Sequence, residues 1–179
     1  MTGFVEAAGP IAAAILSGGI ASALVTFLQN RWLEKRRAQD AERSRLRQSF
    51  AEAFEAYADY KEFPYLVRRR RGDQQAEERA RLTKELNAVQ SRLSYFRAWT
   101  GLESPSVGHA YSALLNEMRS IAGTGIKAAW NDEPTDSDAG MVIPRKVIDL
   151  SSLVPFEDAY MQAAAARLKK LTPWMMRRR

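Results

Sequence analysis

Apolar side chains recur at helical spacing over most of the chain, and the clearest example lies between about residues 74 and 99. There the apolar positions alternate steps of four and three, at Leu82, Leu86, Val89, Leu93 and Phe96. Such a heptad-like stripe, with charged residues on the opposite face, is typical of a helix that packs in coiled-coil fashion against a neighbour. We therefore expect a helical hairpin with the helix that precedes it.

The preceding helix is predicted from residues 29–61, a stretch without Gly or Pro that is rich in helix-forming residues. Phe50, Phe54 and Tyr57 follow helical spacing within it. Aromatic residues in this pattern indicate a protein core, and stacking on nucleic-acid bases is the alternative interpretation. We expect the core to begin at Phe50 and the helix to be kinked or ended by Pro64.

A third helix is predicted from about residue 105 to Trp130. Gly101 is expected to end the second helix, because glycine is a common stop signal after the last periodic residue. Ser104 and Pro105 then form a helix-start pattern, with Ser104 as the N-cap and proline at the first helical position. The apolar residues that follow again have helical spacing.

Residues 131–140 hold four acids and no cation among several turn-forming residues, which predicts a surface loop. A last helix should begin near Pro155 and run toward Leu171. The predicted fold class is therefore all-α, with residues 49–171 forming a cytoplasmic antiparallel bundle of three to four helices that continues from a single N-terminal transmembrane helix.

The transmembrane helix is assigned to residues 9–30. It lies within 24 consecutive uncharged residues, from Ala7 to Asn30, and about 20 apolar residues suffice to span a bilayer. A buried helix of a soluble protein is the competing interpretation, since Ala, Gly and Ser are frequent here. A cleaved signal peptide is disfavoured because no Lys or Arg precedes the apolar run, so residues 1–8 are expected to be a short external N-terminus.

Cations follow the predicted span immediately, and this sets the expected orientation. Arg31, Lys35, Arg36 and Arg37 stand after it, whereas only Glu6 carries a side-chain charge before it. The positive-inside rule then places the bulk of the chain in the cytoplasm and the N-terminus outside. Residues 31–48 read as a basic helical stalk.

Small residues recur every fourth position in the predicted span, at Ala14, Gly18 and Ser22. Two helix backbones can approach closely along such a face. A homo-oligomer formed through this helix or through the bundle is therefore an expected partner arrangement, alongside a monomeric, Ala-rich span.

The net charge of +6 favours an acidic partner, either anionic lipids or, less strongly, a nucleic acid. Residues 68–71 are four consecutive arginines followed by a turn, and residues 172–179 form a basic tail. The residues expected to contact the membrane interface or phosphates are Arg31, Trp32, Lys35, Arg36, Arg37, Arg68, Arg69, Arg70, Arg71, Trp174, Arg177, Arg178 and Arg179.

The sequence offers little reactive chemistry. It contains no cysteine and one histidine, His109, which lacks a second nitrogen or sulfur ligand for a metal site. The run from Gly123 to Lys127 lacks the spacing of a phosphate-binding loop, and the acids of residues 52–62 are typical of the wet face of a helix. No enzyme, cofactor, metal or small-molecule substrate is expected.

The leading hypothesis is a membrane-tethered interaction or scaffold module at the inner membrane face. The first alternative is a membrane-linked nucleic-acid-binding protein that uses its basic segments. The second is a phage or bacterial envelope-active membrane protein, a role that suits short single-span proteins with basic tails.

Overall fold

The computed structural model describes the backbone of residues 8–142 and 148–171, and the side chains of residues 26–137, 139, 141–142 and 148–171. Its α-helices are α1 (Ala8–Arg68), α2 (Gln75–Glu103), α3 (Pro105–Asn131) and α4 (Val154–Lys170), and its 3-10 helices are Asp138–Met141 and Ser151–Leu153. The chain divides into two compact units, Met1–Ser44 and Arg45–Arg179. The predicted all-α class and the helical bundle are confirmed.

The second unit is a four-helix bundle made by the part of α1 from Arg45 onward together with α2, α3 and α4. Trp99 packs edge-on against Phe50 while Arg92 bonds Asp59, so α2 runs antiparallel to α1. Equivalent pairs of contacts set α3 parallel to α1 and α4 antiparallel to it. The topology is therefore up-down-up-down, with short connections from α1 to α2 and from α2 to α3 and a longer one from α3 to α4.

The core lies where the periodicity predicted it. Phe50 and Tyr57 are buried on α1, and Leu93 and Phe96 are buried on α2. Leu82 joins a smaller cluster near the other end of the bundle, while the remaining two positions of the predicted stripe are partly buried. The predicted start of the core near Phe50 is confirmed, with Leu46 one turn earlier also inside.

Pro64 lies inside α1, which continues to Arg68. Of the two predicted effects of Pro64, a kink or an end, the end of the helix does not occur there. Proline removes one backbone hydrogen bond. Phe63 and Val67, on either side of it, are buried in the smaller core cluster. Burial of these side chains favours the extra helical turn and offsets the lost bond.

A single residue, Ser104, connects α2 to α3. Its backbone N–H donates a hydrogen bond to the Thr100 carbonyl at 3.0 Å. Gly101 does not end α2, which runs on to Glu103. Pro105 is the first helical residue as predicted, but the Ser104 side chain makes no capping bond. The helices meet at two glycines: a Cβ added to Gly108 would lie 2.5 Å from the Gly101 Cα.

The structure gives no support to the predicted transmembrane helix. No helix is long and apolar enough to cross a membrane in the part of the chain that the structure describes. The backbone of residues 9–30 is helical, but the side chains of residues 8–25 lie outside the described set.

The glycine contact predicts an asymmetric response to two matched substitutions. Gly108→Ala should lower the free energy of unfolding by about 1–3 kcal/mol, because its methyl group would press on the backbone of α2. Gly101→Ala should be neutral or stabilising by up to about 1 kcal/mol, since nothing lies within 4 Å of its added Cβ and alanine favours the helix. Chemical denaturation of the two variants measures both effects, and equal destabilisation would contradict the assigned contact.

Candidate functional site

An exposed aromatic and basic segment lies on the described part of the first unit. Phe27, Leu28, Trp32 and Leu33 are 58, 57, 49 and 43% exposed, which is unusual for such large apolar side chains. The Arg36 guanidinium lies 3.9 Å from the centroid of the Trp32 ring, and Arg31 lies 5.4 Å from that of Phe27. Apolar rings beside charged side chains suit a boundary between lipid and water.

The remaining predicted cations of this segment, Lys35 and Arg37, are exposed on the same helix. The structure thus brings together five of the predicted interface residues, Arg31, Trp32, Lys35, Arg36 and Arg37, within two helical turns. The predicted packing residues Ala14, Gly18 and Ser22 and the tail residues Trp174, Arg177, Arg178 and Arg179 lie outside the described side chains.

The four arginines of residues 68–71, expected to contact the membrane interface or phosphates, bond to neighbouring parts of the protein. Arg68 ends α1 and pairs with Asp132, and Arg71 pairs with Asp73 at 2.7 Å. Arg69 is exposed and reaches the Met141 carbonyl at 3.4 Å. These side chains are largely committed to neighbouring parts of the protein, because acids and carbonyls come within reach once α1 and α3 pack side by side.

Arg70 departs furthest from the prediction, since only 7% of it is exposed. Its guanidinium donates hydrogen bonds to the carbonyl oxygens of Ala129 at 2.7 Å, Trp130 at 3.3 Å and Asp132. Burial lowers the pKa of this guanidinium. The last carbonyls of a helix lack intrahelical partners and carry partial negative charge, so Arg70 acts as a C-terminal cap for α3.

The acidic residues 131–136 are held against the same segment. The Thr135 hydroxyl donates to the Arg68 carbonyl at 3.1 Å, and backbone bonds join Thr135 to Arg70 and Gly72. The acidic run is a surface segment as predicted, with Asp138–Met141 forming a 3-10 helix within it. Its charge compensates the arginines of residues 68–71.

The groups considered for chemistry are dispersed. Residues 123–127 are helical, and Gly125 faces Pro64, so this run forms no phosphate-binding loop. Glu55 and Asp59 both pair with Arg92 on α2, and Glu52 accepts a bond from Gln48. Within the described ranges, no three His, Asp or Glu side chains come together in a way that could hold a metal ion.

A charged hydrogen-bond network does lie inside the bundle. The Tyr57 hydroxyl donates to Glu157 Oε1 at 2.6 Å, and Lys61 Nζ donates to the same oxygen at 3.1 Å. Burial alone would raise the pKa of the Glu157 carboxyl, but the bonds from Tyr57 and Lys61 lower it on balance. Burial and this carboxylate together raise the pKa of the Tyr57 phenol. The network joins α1 to α4 and is partly closed to solvent.

A shallow groove of about 760 Å³ follows the α2–α3 hairpin. Five of its ten lining residues are small, and we call these five the floor: Ser94, Ala98, Gly101, Gly108 and Ser112. Its polar side chains include two arginines and the single histidine. The lining residues are Ser94, Arg97, Ala98, Gly101, Leu102, Pro105, Gly108, His109, Ser112 and Arg119. Neither Arg97 nor Arg119 forms an ion pair with a described residue, and the lining contains no carboxylate.

Sequence reasoning overlooked Arg97 and Arg119. Each lies on the polar face of its helix, where a charged residue is ordinary, and they are 22 positions apart in the chain. The signal that could have found them is the pair Gly101 and Gly108 around a one-residue turn, because two helices that meet at glycines bring their flanking side chains to a common surface.

Comparison of the chain with protein-family models, curated proteins and solved structures gives no match.

The capping role of Arg70 predicts a stability effect that its neighbour does not share. Arg70→Met should lower the free energy of unfolding by about 2 kcal/mol, because it strips charged hydrogen bonds from partly buried carbonyls. Arg69→Met should change it by less than about 0.5 kcal/mol, as expected for an exposed side chain with one long bond. Urea denaturation distinguishes them. Similar stabilities for the two variants would contradict the assignment of Arg70 as a buried cap of α3.

The Glu157 network predicts a stability contribution that disappears in acid. The carboxyl has a lower pKa in the folded than in the unfolded chain, so its contribution is complete above the unfolded pKa and is lost as pH falls through the folded pKa. Glu157→Gln keeps an acceptor oxygen for Tyr57 and removes the charge. The stability difference between wild type and this variant should shrink steadily from pH 7 to pH 3.

Thermal unfolding over this pH range gives the measurement, with Glu133→Gln as the control. Glu133 is exposed and has no partner among the described side chains, so its substitution should have little effect at any pH. A Glu157→Gln difference that stays constant with pH would contradict the role assigned to the charge.

Proposed function

We propose that this chain is a non-catalytic, single-pass membrane protein whose helical bundle acts as an interaction module at the inner membrane face. In this proposal residues 9–30 span the bilayer, residues 31–37 lie at the headgroups, and the bundle meets a partner in the cytoplasm. The three parts rest on separate observations.

The observation that carries the anchor is the exposed aromatic and basic segment beginning at Phe27. Its rings and aliphatic side chains are about half exposed, and arginines stack on two of the rings. In water this arrangement leaves a large apolar surface uncovered. At a membrane interface the rings enter the headgroup layer, and the cations remain beside lipid phosphates.

The position of this segment adds support. It directly follows a run of 24 uncharged residues, Ala7 to Asn30. The cations lie on its C-terminal side, which favours a cytoplasmic location for the bundle by the positive-inside rule. Anionic lipids are the expected contact of these cations.

Binding of nucleic acid is the weaker proposal. The run of arginines at residues 68–71 lends it little support, because Arg70 is buried and Arg68 and Arg71 pair with acids. An ion-paired arginine must break that pair before it can neutralise a phosphate. No described feature favours the envelope-active alternative over the interaction module.

Membrane anchoring predicts a clean fractionation result in cells. The full chain should remain with the membrane pellet after alkaline extraction. Ala13→Arg combined with Ala21→Arg should release it. The cation at residue 21, near the centre of the span, costs about 2.5–3.5 kcal/mol on insertion scales, and the cation at residue 13 adds to that cost.

The matched control is Ala38→Arg combined with Ala41→Arg, which adds the same charge at exposed helical positions and should leave the chain in the pellet. A reporter fused after Arg179 should be active only in the cytoplasm. Extraction of the unaltered chain into the soluble fraction would overturn the anchor, and an exported reporter would overturn the orientation.

A further inference from the structure

We propose that the groove along the α2–α3 hairpin is the docking site for an acidic amphipathic helix of a partner protein. This inference rests on the interaction-module part of the proposed function and does not depend on the membrane anchor. It commits to one surface, the ten residues that line the groove, and to one kind of partner.

Charge is the first argument. Six of the twelve described arginines of the bundle form ion pairs with carboxylates, among them Arg68, Arg92 and Arg167. Arg97 on α2 and Arg119 on α3 lack such a pair among the described residues. A groove with two available guanidiniums and no carboxylate in its lining is complementary to an acidic ligand.

The shape of the floor is the second argument. Ser94, Ala98 and Gly101 on α2 face Gly108 and Ser112 on α3, and all five residues are small. Nothing lies within 4 Å of a Cβ added to Gly101. Small residues let another helix backbone approach closely, whereas long side chains would hold it away.

An exposed apolar side chain on α2 is the third argument. Leu102 is 88% exposed at the end of the groove. Ala98 lines the groove one turn earlier on the same helix. A partner helix with apolar residues at steps of three and four can cover this face, with acidic residues on its flanks beside Arg97 and Arg119.

The combination favours a peptide helix over a phosphate backbone. Binding to nucleic acid relies on many cations along the strand and on rings that stack on bases. The groove has two arginines, and its lining includes the highly exposed apolar side chain of Leu102, whose burial against apolar side chains of a partner is favourable. Helix-in-groove recognition uses both features together.

The test uses the full chain in neutral detergent and a displayed library of helical peptides. The library fixes Leu and Ala along one face and varies the flanking positions among Glu, Asp, Ser and Ala. Selected peptides are synthesised and their Kd values are measured by fluorescence anisotropy. Sequence-scrambled peptides of the same composition serve as the ligand control, and a 20-bp DNA duplex is measured in parallel.

Enriched peptides should be acidic, and Arg97→Glu combined with Arg119→Glu should weaken their binding more than tenfold. Ala98→Trp should weaken it to a similar extent, because it fills the floor without changing charge. Arg79→Glu combined with Lys84→Glu reverses two exposed cations of α2 outside the groove and should change Kd less than twofold. Circular dichroism and thermal unfolding establish that each variant is folded.

The proposal is overturned if no peptide is enriched, or if the enriched peptides bind the Arg97→Glu, Arg119→Glu variant as well as the unaltered chain. A third outcome also overturns it: the unaltered chain binds no peptide but binds the DNA duplex, and the variant does not bind the duplex. The groove would then be a nucleic-acid site. Because the assay is done in detergent solution, a failure of the membrane anchor in fractionation leaves its outcome unaffected.

Discussion

The buried face of α1 between Leu46 and Val67 is the surface on which the other three helices of the bundle are assembled. Burying large aromatic side chains there contributes to the hydrophobic stabilisation, and a tyrosine hydroxyl that is taken out of water needs an acceptor. Tyr111 of α3 donates to the Ala53 carbonyl and Tyr160 of α4 donates to the Phe50 carbonyl, both at 2.8 Å. Each bond fixes how far along α1 its own helix lies.

These bonds restrict the bundle in a way that apolar packing alone would not. Leu and Met side chains can slide by part of a turn at small cost, because dispersion contacts are not directional. A buried hydroxyl that loses its carbonyl incurs an unsatisfied-group penalty of about 1–3 kcal/mol. Tyr57 adds a third point of registry through Glu157 on α4. The position of α3, and hence of the groove along it, follows from these polar contacts.

The helices could be predicted from the spacing of apolar residues and from local start signals. The contacts between residues far apart in the chain could not. Heptad spacing located α2, and proline after serine located the start of α3, because both signals are local. The burial of Arg70 depends on where α3 ends. Its carbonyl partner Ala129, in the last turn of α3, is 59 residues away along the chain. A run of four arginines looks solvent-exposed when read alone, and only the tertiary structure shows which carbonyls and carboxylates they meet.

Net charge is for the same reason a poor guide to partners here. The value of +6 counts every arginine equally, whereas the structure separates those bound to acids or helix carbonyls from those without an ion pair among the described residues, such as Arg79, Arg97 and Arg119. The available positive charge of the bundle is therefore concentrated at fewer places than the composition suggests. Electrostatic attraction of a partner depends on this local excess and on its geometry.

The α2–α3 hairpin shows how one constraint of folding can create a surface for binding. A one-residue turn brings the two helices together so closely that Gly108 must lack a side chain, since its Cβ would meet the Gly101 backbone. The missing side chain of Gly101 instead faces open space in the groove. Folding thus determines the residue at position 108, while position 101 is free of that constraint and contributes its small size to the floor. Stability and docking can consequently be altered separately at two glycines that touch each other.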